Sequence, residues 1–355
     1  MPDKSLILND KIISYEEIKE GIALGKTDFE QSTLTICRQW LNGQATFSLK
    51  TSGSTGSPKE INVSREQMKL SAAQTIDYFN LSSAHTVLVC LNTASIAGIM
   101  MVVRALESGA KIIAVEPSGN PLQDINQQID FVAVVPLQIQ QILNNAKTRN
   151  QLKNCRAVIV GGAQVSIALA NSIKESAANI YATFGMTETL THFAIKQLSP
   201  VQQNHFTALD GVIIGQDNRG CLTVVSAVTK QKLLITNDVI ELLSANSFKW
   251  LGRIDNVINS GGVKLQIEAL EVKVEATFND LGITNRFFIT PTPDEQLGEK
   301  VTLVIESDIN LASLKSPDWG KYFTKYEMPK KILFCDKFQQ TLTGKINRVQ
   351  TLKNI

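Results

Sequence analysis

Cysteine pairs, histidine and clustered charge are scarce in this sequence, and each scarcity removes a class of function. The five cysteines stand at 37, 90, 155, 221 and 335 and form no CxxC or Cys/His cluster. This argues against a zinc site and a secreted disulfide framework, and in favour of free core thiols in a reducing compartment. No run of basic residues occurs, and 35 Lys plus Arg against 33 Asp plus Glu leave a formal charge of +2. Electrostatics therefore makes no case for nucleic acid or a membrane surface as partner, and a small molecule is expected instead. Long apolar runs are missing too. The most apolar stretch, ASIAGIMMVV at 94–103, ends at Arg104, well short of a membrane span. The first residues carry no basic segment leading into an apolar one, so no signal peptide is visible and the cytoplasm is the expected compartment. No internal repeat or low-complexity tract is apparent.

What the chain does have is enough material for two cores: 355 residues, 43% of them hydrophobic and 19% charged. From Thr86 onward, short β-rich runs such as TVLVCL, AKIIAVE, DFVAVVP, CRAVIVGG and NIYATFG alternate with helical-period segments. Those segments are GIMMVVRALESG, PLQDINQQI, LQIQQILNNA and IALANSIKESA. The alternation predicts a layered α/β sheet, much of it parallel, with helices on both faces. Ligands sit off the carboxyl ends of strands in such sheets. Two strand ends here carry informative residues, VGGA at 160–163 and FGMTE at 184–188. After about residue 206 shorter strands and turns predict an antiparallel β section. The last hundred residues read as a small α+β unit of helix, strand, strand, helix, strand. The expected division is a large unit over 1–252 and a small one over 253–355.

Between ATFSL and EINVS, both alternating, lies TSGSTGSPK at 51–59. It reads as a hairpin tip, and it is not a P-loop, which needs GxxxxGK[ST] opening a helix. Gly53 and Gly56 permit positive φ and close backbone approach, and the loop amides can form an anion-binding concavity. The hydroxyls of Thr51, Ser52, Ser54 and Thr55 and the ammonium of Lys59 add donors. Such a loop suits a polyphosphate, although a solvated surface turn has the same composition.

Four further stretches make a family visible. TSGSTGSPK resembles the phosphate-binding signature of the adenylate-forming superfamily, FGMTET at 184–189 its YGxTE motif and TND at 236–238 its TGD motif. GRIDNVINSGG at 252–262 resembles its GRxDxxIxxxGG motif, and LTGKINR at 342–348 its C-terminal catalytic-lysine motif. All five occur in the family's order. The resemblance implies the adenylate-forming fold, with a mobile C-terminal domain, and a two-step reaction. A carboxylate attacks the α-phosphate of ATP, and a thiol, usually that of coenzyme A, then displaces AMP. It assigns Lys345 to the α-phosphate, Glu188 to Mg²⁺, Thr187 to a phosphate oxygen, and Gly185 with Phe184 to the adenine side. Asp238 is assigned to the ribose hydroxyls, Arg253 to the sugar or a phosphate, and Asp255 to a hinge.

The branch most resembled, on VIVGGAQVS, YATFGMTET and FKWLGRIDNVINSGG, is the o-succinylbenzoate-CoA ligases of menaquinone biosynthesis. It places Gly161, Gly162, Ala163 and Met186 along the acid pocket, with Ser95 near a position where many members have His. Asn237 replaces the Gly of TGD. Arg104 and Lys264 are candidates for a second carboxylate, and a structural role is the expected one for His192. Alternatives are a ligase for another aryl or acyl acid, or for a carrier-protein thiol, and a non-catalytic nucleotide-binding protein of the same fold. A homodimer is compatible with the sequence.

Overall fold

The computed structural model describes residues 4–50, 60–307, 319–340 and 346–355, with only the backbone of Lys50 and Glu60. The chain opens with β1 (Ser5–Leu8), β2 (Lys11–Ser14), α1 (Tyr15–Glu20) and α2 (Asp28–Leu41). A hairpin follows, β3 (Thr46–Lys50) and β4 (Glu60–Ser64), leading into α3 (Arg65–Phe79). The alternating part then runs β5 (Thr86–Val89), α4 (Ile96–Ser108), β6 (Lys111–Ala114), β7 (Phe131–Val134), α5 (Pro136–Asn144), α6 (Ala146–Lys153), β8 (Ala157–Val160), α7 (Ile167–Ser176) and β9 (Ile180–Gly185). Meandering strands follow: β10 (His192–Ser199), β11 (Phe206–Ala208), β12 (Ile213–Gln216), β13 (Cys221–Val225), β14 (Leu234–Ser244) and β15 (Ser247–Arg253). The last part comprises β16 (Val257–Ser260), β17 (Val263–Gln266), α8 (Ile267–Asp280), β18 (Phe287–Asp294), β19 (Gly298–Glu306), β20 (Lys331–Cys335) and α9 (Arg348–Leu352).

Among the described residues the first fifteen strands, less the β3–β4 hairpin, form one 13-stranded sheet in the order β12-β13-β14-β15-β11-β10-β9-β8-β7-β5-β6-β1-β2. Strands β1, β6, β5, β7, β8 and β9 are parallel to one another, and the pairings among β9 to β15 are antiparallel. The predicted antiparallel section is thus a continuation of the parallel sheet.

Burial explains why the parallel strands read as unbroken apolar runs. Val87, Phe131, Ala133, Ile159 and Ala157 pack to one face with Met68, Met100 and Met101 of α3 and α4. Leu88, Val132, Val134 and Val158 pack to the other with Ile139, Leu152 and Ile173 of α5, α6 and α7. Both faces are covered, as a parallel sheet requires.

One predicted helix is absent. In PLQDINQQI, Leu122, Ile125 and Ile129 are buried at helical spacing, but the segment is a run of turns. Its bonds, Gln123 N–H to Asn120 O and Ile125 N–H to Leu122 O, span only three residues. Asp124 and Asn126 favour such local turns over a helix. Helix α6, whose composition is polar, was not visible as an apolar stripe.

A second core, built on Ile258, Leu270, Val274, Phe278, Ile289 and Leu303, belongs to a five-stranded sheet of β16 to β20. The large sheet ends at Arg253 and the small one begins at Val257. At the junction Gly252 has φ +140°, and a Cβ there would lie 2.7 Å from Glu268 Oε2 and 3.0 Å from Gln266 Oε1. Close approach of β15 to the start of α8 therefore needs glycine at this position.

All five cysteines are free, four of them buried and Cys335 half-buried, as expected. No helix among the described residues is long and apolar enough to cross a membrane.

Candidate active site

The carboxyl ends of β5, β8 and β9 carry the candidate residues. Strand β8 leaves the sheet through Gly161 and Gly162, the latter at φ +84°. A Cβ on Gly161 would lie 2.5 Å from Thr183 Oγ1 on β9, so these glycines serve the tight exit whatever else they line. Ala163 follows them and is exposed. Ser95, half-buried, stands at the N-cap of α4 without capping it, its hydroxyl donating to Asn92 O at 2.6 Å.

Beyond β9 the chain turns sharply. Gly185 faces His192 in register, and a Cβ on it would lie 2.2 Å from Thr191 O, so the backbones touch there. Met186, half-buried, precedes a 3₁₀ turn over Thr187–Thr189. The buried Thr189 hydroxyl accepts from Met186 N–H at 3.0 Å and lies 2.9 and 2.8 Å from the carbonyls of Met186 and Thr191. Leu190 then takes φ 63° and ψ −57° while Thr191 N–H bonds Thr189 O at 2.8 Å. This is a γ-turn of the strained kind. The turn presents Glu188 to solvent. Among the described residues Glu188 has neither an ion pair nor a hydrogen-bond partner, which leaves both its oxygens available.

Phe184 is packed among other rings. Its ring packs edge-on to Phe193 (centroids 5.7 Å) and Phe248 (5.3 Å) and tilted to Phe206 (5.3 Å). It tacks β9 to β11 and β15, and only part of it reaches the surface.

A second group lies on β14 and β15. Asp238 and Arg253 face each other across the two strands, with Arg253 Nη1 4.0 Å from Asp238 Oδ2. Trp250 Nε1 donates to Asp238 Oδ1 at 2.9 Å, so Oδ1 is engaged by the indole while Oδ2 faces Arg253. Burial raises the Asp238 pKa, opposed by the Trp250 bond and Arg253. A raised carboxyl favours the protonated form in the folded state. Below the unfolded pKa the group is neutral in both states. As pH rises through both values, its ionisation works against folding. Asp238→Asn is accordingly expected to melt at or above the wild-type temperature at pH 7 while nucleotide affinity falls, measured by thermal shift with and without MgATP.

Arg253 grips Asp255 with two bonds, Nε to Oδ1 at 2.8 Å and Nη2 to Oδ2 at 2.6 Å, and Asn237 Nδ2 adds a third at 3.2 Å. Arg253 and Asp255 are both about half exposed. A pair of that kind contributes about 0.2–1 kcal/mol. The Arg253 bonds hold the Asp255 carboxyl below its ordinary pKa.

Two other residues settle into structural roles. His192 is buried, its Nε2 3.2 Å from Thr75 Oγ1, and burial, then Arg104, pushes its pKa well down. Arg104 is 2% exposed and bonded to threonine hydroxyls. It therefore cannot meet a substrate carboxylate, which corrects its candidacy for one. Lys264 on β17 is exposed. Thr51, Ser52, Gly53, Ser54, Thr55, Gly56, Lys59 and Lys345 lie outside the described residues. The strands flanking the loop pair antiparallel as expected, Lys50 opposite Glu60. The Trp250 contact and the threonine contacts of Arg104 escaped sequence reading because those partners are 12, 29 and 87 positions away; a diagonal pairing of β14 with β15 was the one available signal for Trp250.

Residues 35–215 match the family described as AMP-binding enzyme. The chain belongs to this family. It is 39% identical to a solved acyl-CoA synthetase (AMP-forming)/AMP-acid ligase II-like protein from Dyadobacter fermentans, covering 95% of this chain and 97% of that one with a TM-score of 0.63. It is 24% identical to 2-succinylbenzoate–CoA ligase from Enterococcus faecalis over 83% of this chain and 67% of that one. The fold also matches O-succinylbenzoate coenzyme A synthetase from Bacillus subtilis, solved with ATP and magnesium ion, at TM-score 0.71 and 18% identity, covering 86% of this chain and 69% of that one. The chain spans 60% to 67% of the length of the first 2-succinylbenzoate–CoA ligases it matches. The large α/β unit with its antiparallel extension and the smaller α+β unit together form the adenylate-forming fold.

Proposed function

We propose that this AMP-binding family member is an ATP-dependent carboxylic acid–CoA ligase working through an acyl adenylate, with o-succinylbenzoate as its acid. The observation that supports the reading is the exposed Glu188, without an ion pair or hydrogen-bond partner among the described residues, on a strained turn just past the carboxyl end of β9.

In the first half-reaction a carboxylate oxygen of the acid bonds to the α-phosphorus, and the bond to the bridging oxygen of pyrophosphate breaks. Positioning and charge neutralisation on the phosphoryl oxygens supply the rate. Lys345 neutralises α-phosphate charge, and the 51–59 loop, with Thr51, Ser52, Gly53, Ser54, Thr55, Gly56 and Lys59, holds the pyrophosphate end. Thr187 donates to a phosphate oxygen. A hard, exposed carboxylate with no ion pair among the described residues fits Mg²⁺. Glu188 would hold it, and bound there it neutralises charge on the phosphates. The Asp238 carboxylate accepts from the ribose, Arg253 stands beside it, and Phe184 and Gly185 border the base. Ser95, Gly161, Gly162, Ala163 and Met186 line the acid side.

In the second half-reaction the sulfur of coenzyme A bonds to the acyl carbon and AMP leaves. The division into 1–252 and 253–355, with Asp255 as hinge, brings Lys345 in for the first half and away for the second. The weak Arg253–Asp255 pair offers little resistance to such a rotation.

The test is pyrophosphate release from MgATP with o-succinylbenzoate, benzoate and medium-chain fatty acids, each with and without coenzyme A. Release confined to o-succinylbenzoate, with thioester formed on adding coenzyme A, is the expected result. Release with another acid would discard that substrate. Release with none would favour a non-catalytic nucleotide binder.

A further inference from the structure

The strained turn that presents Glu188 is backed by a buried cation. Arg104, on the inward side of α4, is 2% exposed. Its Nε donates to Thr75 Oγ1 at 3.1 Å, its Nη2 to Thr191 Oγ1 at 2.9 Å, and its Nη1 to Met101 Sδ at 3.8 Å. Among the described residues no carboxylate pairs with it. Burial lowers its pKa to about 10, which still leaves it charged at neutral pH. Taking a charge out of water without a counter-ion is expensive, and an apolar side chain of similar volume is often as good or better for stability. Packing alone therefore gives no reason for arginine here.

What the guanidinium does hold is one end of the turn. Thr191 follows Leu190, whose φ of 63° is unfavourable for a residue with a Cβ. The Thr191 hydroxyl is fixed by Arg104 on one side and Ser71 Oγ, at 2.9 Å, on the other. Its carbonyl lies 2.8 Å from Thr189 Oγ1, and that hydroxyl in turn accepts from Met186 N–H. A continuous set of short contacts thus runs from α4 through Thr191 and Thr189 to the first residue of the turn. Thr187 and Glu188 lie inside it.

We infer that Arg104 is a positioning residue, a buried cationic brace that holds the 186–191 turn in its strained form and so fixes Glu188 and Thr187 toward the phosphates. Its effect on catalysis rests on the function proposed above; its effect on the turn does not.

Arg104→Met tests it. The remaining hydroxyl pairs, Ser71 with Thr191 and Thr75 with His192, survive the substitution, so the core is not left with stranded polar groups. Three readouts are taken on the whole protein: thermal melting, hydrogen–deuterium exchange of the 186–192 peptide, and the kinetics of pyrophosphate release. The expected result is melting at or above the wild-type temperature, with exchange confined to that peptide faster by about tenfold. In the same variant kcat falls on the order of 10²-fold, as for a displacement of about 1 Å at a reacting group. The KM for the acid stays within about twofold, and Arg104→Lys, which restores one donor, recovers part of both losses. Where R104M does not fold, Arg104→Gln carries the exchange measurement. Wild-type exchange in 186–192 in a folded variant would overturn the brace, as would parallel loss of melting temperature and kcat. A wild-type protein that releases no pyrophosphate with any acid would overturn the proposed function instead, and the exchange comparison would still decide the brace.

Discussion

Lys345→Ala is expected to lower pyrophosphate release on the order of 10²–10³-fold, the usual loss when a group stabilising transition-state charge is removed. Thioester formation from added acyl adenylate should change by less than about threefold. The asymmetry follows from the charge each half-reaction develops. Attack at the α-phosphorus loads negative charge onto phosphoryl oxygens that a cation can meet, whereas thiol attack loads it first onto the acyl carbonyl oxygen. Single-turnover measurement of each half separates them. Equal loss in both would reject the alternation of the two units and make Lys345 a general binding residue.

Glu188→Gln carries the second large effect. The amide keeps the size of the side chain and its place on the turn, but it removes the only charge with which Glu188 can hold a divalent cation. Since Glu188 has no ion pair among the described residues, the substitution breaks no structural contact recorded for it, and the melting temperature should be unchanged. Adenylation should fall on the order of 10²-fold, and the Mg²⁺ concentration needed for half-maximal rate should rise severalfold. A rate loss with an unchanged Mg²⁺ requirement would remove Glu188 from the metal and leave it a role in binding the acid or the turn alone.

Much of this fold is legible in the sequence because its central strands are buried on both faces. TVLVCL, DFVAVVP and CRAVIVGG are apolar without alternation for that reason. The same sort of signal misled at 121–129, where Leu122, Ile125 and Ile129 keep helical spacing but reach the core from successive turns. Burial sets the spacing of apolar residues, and local hydrogen bonding decides whether a helix supplies it. The first 80 residues, with two strands, a hairpin and three helices, give weaker patterns because their strands are short and lie at the edge of the large sheet or outside it.

The candidate site was legible as motifs but not as contacts. FGMTET marks the turn, yet nothing in its letters says that Phe184 lies between three other rings or that Leu190 bears the strain. TND and GRID mark Asp238 and Arg253, and strand register puts them opposite each other. The indole of Trp250 on Asp238 depends on a diagonal across β14 and β15. Arg104 was a candidate because a dicarboxylate acid calls for a cation in its pocket and the sequence does not say which one. Its burial against Thr75 and Thr191 supplies one.

Under the proposed function a carboxylate attacks the α-phosphorus of ATP. The most direct measurement supplies o-succinylbenzoate labelled with ¹⁸O in its carboxylates, together with MgATP and coenzyme A, and weighs the phosphate products. Attack at the α-phosphorus followed by thiol displacement leaves one ¹⁸O in AMP and none in pyrophosphate. Orthophosphate in place of pyrophosphate, or AMP without label, would contradict the account.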